Sequence, residues 1–185
     1  MKTLILNGSP RPQGDTAALI QAFREGLKGE IWQIDAYRMN VSPCVDCRAC
    51  MRGGGCRIQD DMEQIYQAAA EADVLAIASP LYFSTLTGPL LSLCSRFQAL
   101  YAARRRGIVL PGPEKAGVAL LVGGGSTKDP SCALHTAAII LRELGAQVWG
   151  QAVSLRTDKL PAAQDQAALA EAREMARGLS RLCGE

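Results

Sequence analysis

The sequence is poor in several things. Its 185 residues include a single histidine, His135, and aromatic side chains make up only 5% of them. One histidine cannot build a histidine-based metal site. No Ser-His-Asp or Cys-His arrangement and no motif of paired carboxylates can be drawn from the chain. No uncharged apolar run reaches the roughly 18 residues that suggest a membrane helix. The first residues, MKTLILNGSPRPQG, reach proline and glycine too soon for a signal peptide, and a soluble, cytoplasmic protein is expected. The net charge of +2 is too small to argue for nucleic acid, and the basic-aromatic pattern of single-strand binders is missing. The one basic run, Arg104-Arg105-Arg106, falls at the end of a helical stretch, where cations suit the helix dipole.

What the chain does have is a repeating alternation. Thr3 to Leu6, Val74 to Ala78 and Val118 to Val122 are short apolar runs without period-2 alternation, as in strands buried on both faces, and helical stretches separate them. The run from Glu30 to Tyr37 instead alternates, Trp32, Ile34 and Ala36 against Gln33 and Asp35, which places it at a sheet edge. A last strand is expected over Gln147 to Val153, after a helix from about Pro130 to Leu144 that Gly145 stops. Pro161 is expected to open a C-terminal helix reaching Leu182. Five strands and five helices make one α/β domain spanning residues 1–185, a doubly wound parallel sheet of flavodoxin-like order 2-1-3-4-5.

In such sheets ligands bind beyond the carboxyl ends of the strands, where the order reverses. After the first strand, Asn7 to Thr16 offers the hydroxyls of Ser9 and Thr16, the guanidinium of Arg11 and the backbone N–H groups of a helix start, which suit a phosphate. It is neither a GxxxxGK[ST] loop nor a GxGxxG fingerprint, and a polar turn with Asp15 or Thr16 as helix cap is the plainer reading. After the third strand, Ser79 to Pro89 brings the adjacent aromatics Tyr82 and Phe83, with Ser84 and Thr85, to the same end, where they could support a flat heterocycle or simply finish the core. Gly123-Gly124-Gly125-Ser126 leaves open backbone after the fourth strand. Together the three loops suggest a phosphorylated planar ring, with FMN the natural candidate.

Four of the seven cysteines lie in SPCVDCRACMRGGGC, within a cysteine-rich loop at 42–58, spaced Cys-x2-Cys-x2-Cys-x5-Cys. A glycine-rich segment with these steps can wrap an iron-sulfur cluster, hold zinc in a tetrahedron, or carry free or reversibly oxidised thiols. Arg48, Arg52 and Arg57 interleave the cysteines and would offset thiolate charge in every case. Asp60 and Glu63 have the spacing of a capping box for the helix that follows. Beside the edge strand, this loop is expected near the phosphate and ring side of the site. Cys94, Cys132 and Cys183 fall in helical stretches as packing residues, and His135 is expected at a surface or interface.

The segments LNGSPRPQGDT, SPCVDCRACMRGGGC and DDMEQIYQAAAEADVLAIASPLYFSTLTGPL, in this order between about residues 2 and 96, resemble the flavodoxin-like NADPH-dependent FMN reductases, and their iron-sulfur flavoprotein branch in particular. The resemblance implies a homodimer or tetramer in which Ser9, Arg11, Thr16 and Ala17 hold the FMN phosphate. Pro80, Leu81, Tyr82, Phe83 and Ser84 would line the isoalloxazine, and Gly124 and Gly125 would close over it. It implies Cys44, Cys47, Cys50 and Cys56 as ligands of a 4Fe-4S cluster, and electron transfer between NAD(P)H or a ferredoxin and an acceptor. Three departures stand out: Asp15 where the family usually has Asn, Leu91 where it has Lys, and Ser95-Arg96 where it has Asp-Arg. The last two alter a helix often used in subunit contact. Two other readings stay open, an NAD(P)H-dependent reductase of quinones or other small acceptors with inert cysteines, and a non-enzymatic zinc-binding partner or sensor module.

Overall fold

The computed structural model describes residues 1–108, 112–125 and 129–182. Five strands, β1 (Lys2–Asn7), β2 (Glu30–Asp35), β3 (Val74–Pro80), β4 (Lys115–Gly123) and β5 (Ala146–Leu155), form one sheet in the order β2-β1-β3-β4-β5. Every neighbouring pair is parallel. The expected architecture is therefore the observed one.

The apolar runs lack alternation because both sides of the sheet are covered. Leu4, Leu6, Leu75, Ile77, Ala119 and Leu121 enter one core, while Ile5, Val74, Ala76, Val118, Leu120 and Val122 enter the other. Successive residues of one strand thus serve opposite cores, as period-2 geometry demands. The first core is roofed by α3 (Met62–Glu71), α4 (Gly88–Ser95) and α6 (Ser131–Glu143). The second is roofed by α1 (Asp15–Gly26) and α7 (Gln166–Leu182), which contribute Leu19, Phe23, Leu169 and Leu179. β2 is half exposed along its length, as its alternating sequence implies.

Several local expectations need correction. Among the described residues there are seven α-helices and one 3-10 turn, where five helices were expected. One addition is α2 (Ala49–Arg52), a single turn inside the cysteine loop. The other comes from the break between α4 and α5 (Gln98–Arg105), where Arg96 N and Phe97 N donate to the carbonyls three residues back. This tightening accompanies the burial of both Arg96 and Phe97. Pro161 does not open the last helix: Ala162–Gln164 form a 3-10 turn, and Asp165 Oδ1 accepts the Ala168 N–H at 3.2 Å, so α7 begins at Gln166. Asp15 is no cap either. It is the first residue of α1, and its Oδ1 accepts the Ala162 N–H at 2.9 Å, latching the loop after β5 onto α1. Cys94 is buried as expected, Cys132 is exposed instead of packed, and Cys183 lies outside the described residues. His135 is exposed on α6.

The carboxyl edge of the sheet is stitched by short contacts. Gly8 N donates to Ala78 O at 2.7 Å, Leu81 N to Val122 O at 2.8 Å, and Thr87 Oγ1 to Gly8 O at 2.8 Å. A Cβ on Gly8 would lie 2.7 Å from Thr87 Oγ1 and 2.9 Å from Leu90 Cβ, so the loops after β1 and β3 approach closely only because no side chain separates them. Gly8→Ala is expected to destabilise the protein by about 1–3 kcal/mol, as overpacking does. Denaturant unfolding checks this, and a midpoint equal to that of the unsubstituted protein would refute it.

Candidate functional site

Three loops leave the carboxyl edge. In the first, Asn7 Oδ1 accepts the Ser9 N–H at 2.9 Å and Asn7 Nδ2 donates to Asp35 Oδ1 at 2.9 Å, tying the end of β1 to the end of β2. Ser9 Oγ accepts the Arg11 N–H at 3.2 Å. Ser9 and Ala17 line one polar cavity of about 270 Å³ with Asn7, Arg24, Asp35 and Arg38. Thr16 is buried in the first turn of α1, while the Arg11 side chain is 70% exposed and stands 3.8 Å from Asp15 Oδ2. Since Asp15 is latched to Ala162 and the pair is exposed on the arginine side, Arg11 remains free to reach an anion.

The second loop has a built shape. Tyr82 and Thr85 exchange N–H···O bonds of 3.0 and 3.1 Å, so Phe83 and Ser84 form the tip of a two-residue hairpin. Both tip residues have positive φ, 53° and 61°, where glycine or asparagine is usual. The left-handed conformation costs non-glycine residues on the order of 1–3 kcal/mol each and clusters at functional sites. The strained tip holds Phe83 with no shielding from its own chain, while Tyr82 is half exposed and Pro80 and Leu81 are buried beneath. Tyr37, just past β2, lies close enough to Tyr82 that, after burial, the neighbouring phenol is a further cause raising its pKa. Sequence reasoning missed Tyr37, whose only signal is its place after the edge strand.

The third loop is described as far as Gly125; Ser126 lies outside the described residues. Gly125 N donates to Asp158 Oδ1 at 2.9 Å, and Thr157 N to Gly123 O at 3.0 Å. The loop after β5 thereby fixes Gly124 and Gly125 at the same edge. Nothing in the sequence marked Asp158 for this.

The cysteine loop stands elsewhere than expected. Its contacts run to α4 and α5, on the face of the sheet opposite α1 and not beside the phosphate-binding candidates. Cys44 N donates to Ser95 Oγ at 2.9 Å, α2 packs on α5, and all four cysteines line one cavity of about 470 Å³ with Arg48, Arg57, Arg96 and Tyr101. Cys44 and Cys47 are exposed, and Cys50 and Cys56 partly so. Asp46 and Arg48 take left-handed φ values of 48° and 57°, and Gly53, Gly54 and Gly55 run on at positive φ, coiling the segment back on itself.

Both feet of this loop are gripped by one guanidinium. Arg96 NH1 donates to Ser42 O at 2.9 Å and to Asp60 Oδ2 at 2.6 Å, and NH2 donates to Ile58 O at 3.0 Å. The ion pair is 1% exposed at Arg96 and 6% at Asp60. Asp60 also accepts the N–H groups of Ser42 and Met62 just ahead of α3, but the N-cap position is Asp61 and the expected capping box of Asp60 and Glu63 does not form. Tyr66 Oη donates to Arg96 O at 2.7 Å, and burial pushes that phenol up to about 12. Arg96 Nε is buried without a partner. Ser95-Arg96, read from the sequence as a change in a subunit-contact helix, is thus the clamp of the cysteine loop.

The residues fit a sulfur-ligated group in chemistry and shared cavity: four thiols, three arginines in the wall, and a buried N–H with no acceptor of its own. They are not drawn together as a ligand set, since no three His, Cys, Asp or Glu among the described residues stand close enough to hold an ion. Cys94 is excluded from such a set; burial pushes its thiol up to about 12.

The comparisons agree with this scaffold. The family model for NADPH-dependent FMN reductase matches residues 1–160, and the chain belongs to that family. It is 32% identical to an iron-sulfur flavoprotein of Methanocaldococcus jannaschii over 139 residues, covering 74% of this chain and 68% of the relative. With an iron-sulfur flavoprotein of Methanosarcina thermophila it shares 34% identity over 127 residues, 67% of this chain and 64% of the relative. A further match, to another M. jannaschii iron-sulfur flavoprotein, spans only 53% of that relative's length. In fold it resembles an NAD(P)H:quinone oxidoreductase from Methanothermobacter marburgensis, with a TM-score of 0.72 at 21% identity over 97% of this chain and 96% of that one. Among the described residues no helix is long and apolar enough to cross a membrane.

Burial alone would raise the Asp60 pKa, but the hydrogen bonds from Arg96, Ser42 and Met62 outweigh it and hold the carboxyl below its usual range. A depressed carboxylate stabilises the fold above its unfolded pKa of about 4, and that contribution is lost as pH falls through the lower folded value. Acidification from about pH 5 to 2 should release the 42–60 segment, read as faster amide exchange there than in β3. In Asp60→Asn the segment should exchange fast already at pH 7, with little further change on acidification. Equal protection and equal pH dependence in both proteins would refute the clamp.

Proposed function

We propose that the chain is an FMN-dependent oxidoreductase that moves electrons between NAD(P)H or a ferredoxin and an acceptor, through a four-iron cluster on Cys44, Cys47, Cys50 and Cys56. The observation that carries this reading is that all four cysteines line a single cavity on a scaffold whose carboxyl edge presents both an anion-suited loop and a strained aromatic tip. Ser9, Arg11, Thr16 and Ala17, with the N–H groups opening the twelve-residue α1, would hold the FMN phosphate. Pro80, Leu81, Tyr82, Phe83 and Ser84 would support the ring, and Gly124 and Gly125 would lie over it. When bound, FMN supplies hydride acceptance and one-electron release, and the cluster supplies one-electron exchange.

The chain's own part is positioning. The hairpin tip is preset, so Phe83 need not be ordered at binding. Asp15 is held by Ala162 N and so is kept from opposing a phosphate. An aromatic as bare as Phe83 also suits a second copy of the chain, in keeping with a homodimer or tetramer whose sites are completed across the interface.

A cluster-free reductase of quinones or other small acceptors is favoured by one observation, the open arrangement of the thiols. Anaerobic purification followed by an absorption spectrum and assays of iron, sulfide and FMN separates the two. The proposal expects FMN together with iron and sulfide, and a spectrum of flavin alone without iron would refute the cluster and keep the reductase. Arg11→Ala is expected to weaken FMN retention, measured by flavin fluorescence on dilution, more than Cys50→Ala does. The reverse order would place the phosphate elsewhere.

A further inference from the structure

Arg96 has five N–H donors, and the fold consumes them unevenly. NH1 and NH2 serve Ser42 O, Asp60 Oδ2 and Ile58 O, while Nε–H is buried and finds no acceptor. A buried donor left unpaired costs about 1–3 kcal/mol, so its retention calls for an explanation. The side chain is 1% exposed, held from outside by Asp60 and through its own carbonyl by Tyr66, and cannot swing away to water. It lines the cavity that Cys44, Cys47, Cys50 and Cys56 share. Burial opposes the charge on the Arg96 guanidinium and the bond to Asp60 favours it; Cys56 stands near enough that, as a thiolate, it would favour it further.

We infer that Arg96 Nε–H is a preset hydrogen-bond donor to the sulfur of the group held in the cysteine cavity, on the Cys56 side, and that Arg96 is the positioning residue for its redox poise. The inference rests on the cluster reading above. One residue then does two things: its NH1 and NH2 fix both feet of the loop, and its Nε, which the loop backbone leaves unused, meets the sulfur. The link is economical, because the loop cannot relax without moving the donor. Hydrogen bonds to cluster sulfurs and nearby positive charge both favour the more negative, reduced state, and so raise the potential.

The test uses full-length protein loaded anaerobically with iron and sulfide. Iron and sulfide content of the unsubstituted protein reads the cluster; the cluster potential, by dye-mediated titration with spectroscopic detection, reads Arg96. Arg96→Lys retains one positive charge but has no Nε donor at that place. It should shift the potential to a more negative value and speed iron loss to a chelator, outer-shell changes of this kind costing about 10–100-fold in metal affinity. Tyr66→Phe loosens the same junction without removing any donor of the guanidinium and should shift the potential far less than Arg96→Lys does.

Should Arg96→Lys fail to load, Asp60→Asn removes the counter-charge yet keeps an amide oxygen for Arg96, and the loop it frees in the metal-free protein would be tied down again by the four cysteines once iron and sulfide are loaded. The guanidinium then acts on the sulfur unopposed, and the potential should rise. A potential equal to the unsubstituted protein's in the loaded Arg96→Lys, or in Asp60→Asn when that variant stands in for it, overturns this inference and leaves the cluster standing. The same holds if Tyr66→Phe shifts the potential as far as Arg96→Lys does. Unsubstituted protein with neither iron nor sulfide overturns the cluster reading and this inference with it.

Discussion

The structure of the cysteine loop depends on one buried cation. Arg96 sits in the junction between α4 and α5, where it takes up two carbonyls and one carboxylate of the segment around the cysteines. An arginine buried without its carboxylate would be prohibitively placed, and removing one partner of such a pair costs about 3–5 kcal/mol. The loop, the start of α3 and the α4–α5 break are therefore coupled. Asp60 accepts the N–H groups of Ser42 and of Met62, the first residue of α3, and neutralises Arg96 in the same few ångströms. The glycines and left-handed residues between the two feet give the cysteines freedom to be arranged, while the feet themselves cannot wander.

The sheet supplies a second, independent constraint. Parallel strands stitched at their carboxyl ends by Gly8, Leu81 and Thr87 leave little latitude in where the loops after β1, β3 and β4 emerge. The redox scaffold is thus divided between two faces. The phosphate candidates open α1 on one side of the sheet, the cysteines lean on α4 and α5 on the other, and the Phe83 hairpin stands between them at the edge.

Much of the fold could be read from the chain because its signals are local and periodic. Unalternating apolar runs mean strands covered on both faces, and Trp32-Gln33-Ile34-Asp35 alternates because β2 is an edge. What escaped reading was tertiary. Asp15 has the look of a cap, yet its partner is Ala162, far along the chain. Pro161 has the look of a helix start, yet Asp165 and its bond to Ser154 Oγ fix the start of α7 later. Cys132 falls in a helical stretch and has the look of a packing residue, yet the register of α6 turns it outward.

The site was legible in part for the same reason. The loops proposed for FMN follow from which strands end where, their individual residues follow from the family resemblance, and the cysteine spacing stands out in the sequence itself. That a single arginine holds both ends of the loop could not be seen, since Ser42, Ile58, Asp60 and Arg96 meet only after the sheet has formed. The central claim is that this chain couples a flavin to a sulfur-ligated cluster. An anaerobic reductive titration of the purified protein tests it most directly: the account predicts about three electron equivalents per chain, two for FMN and one for the cluster. Saturation at about two, with the flavin band alone bleached, would contradict it.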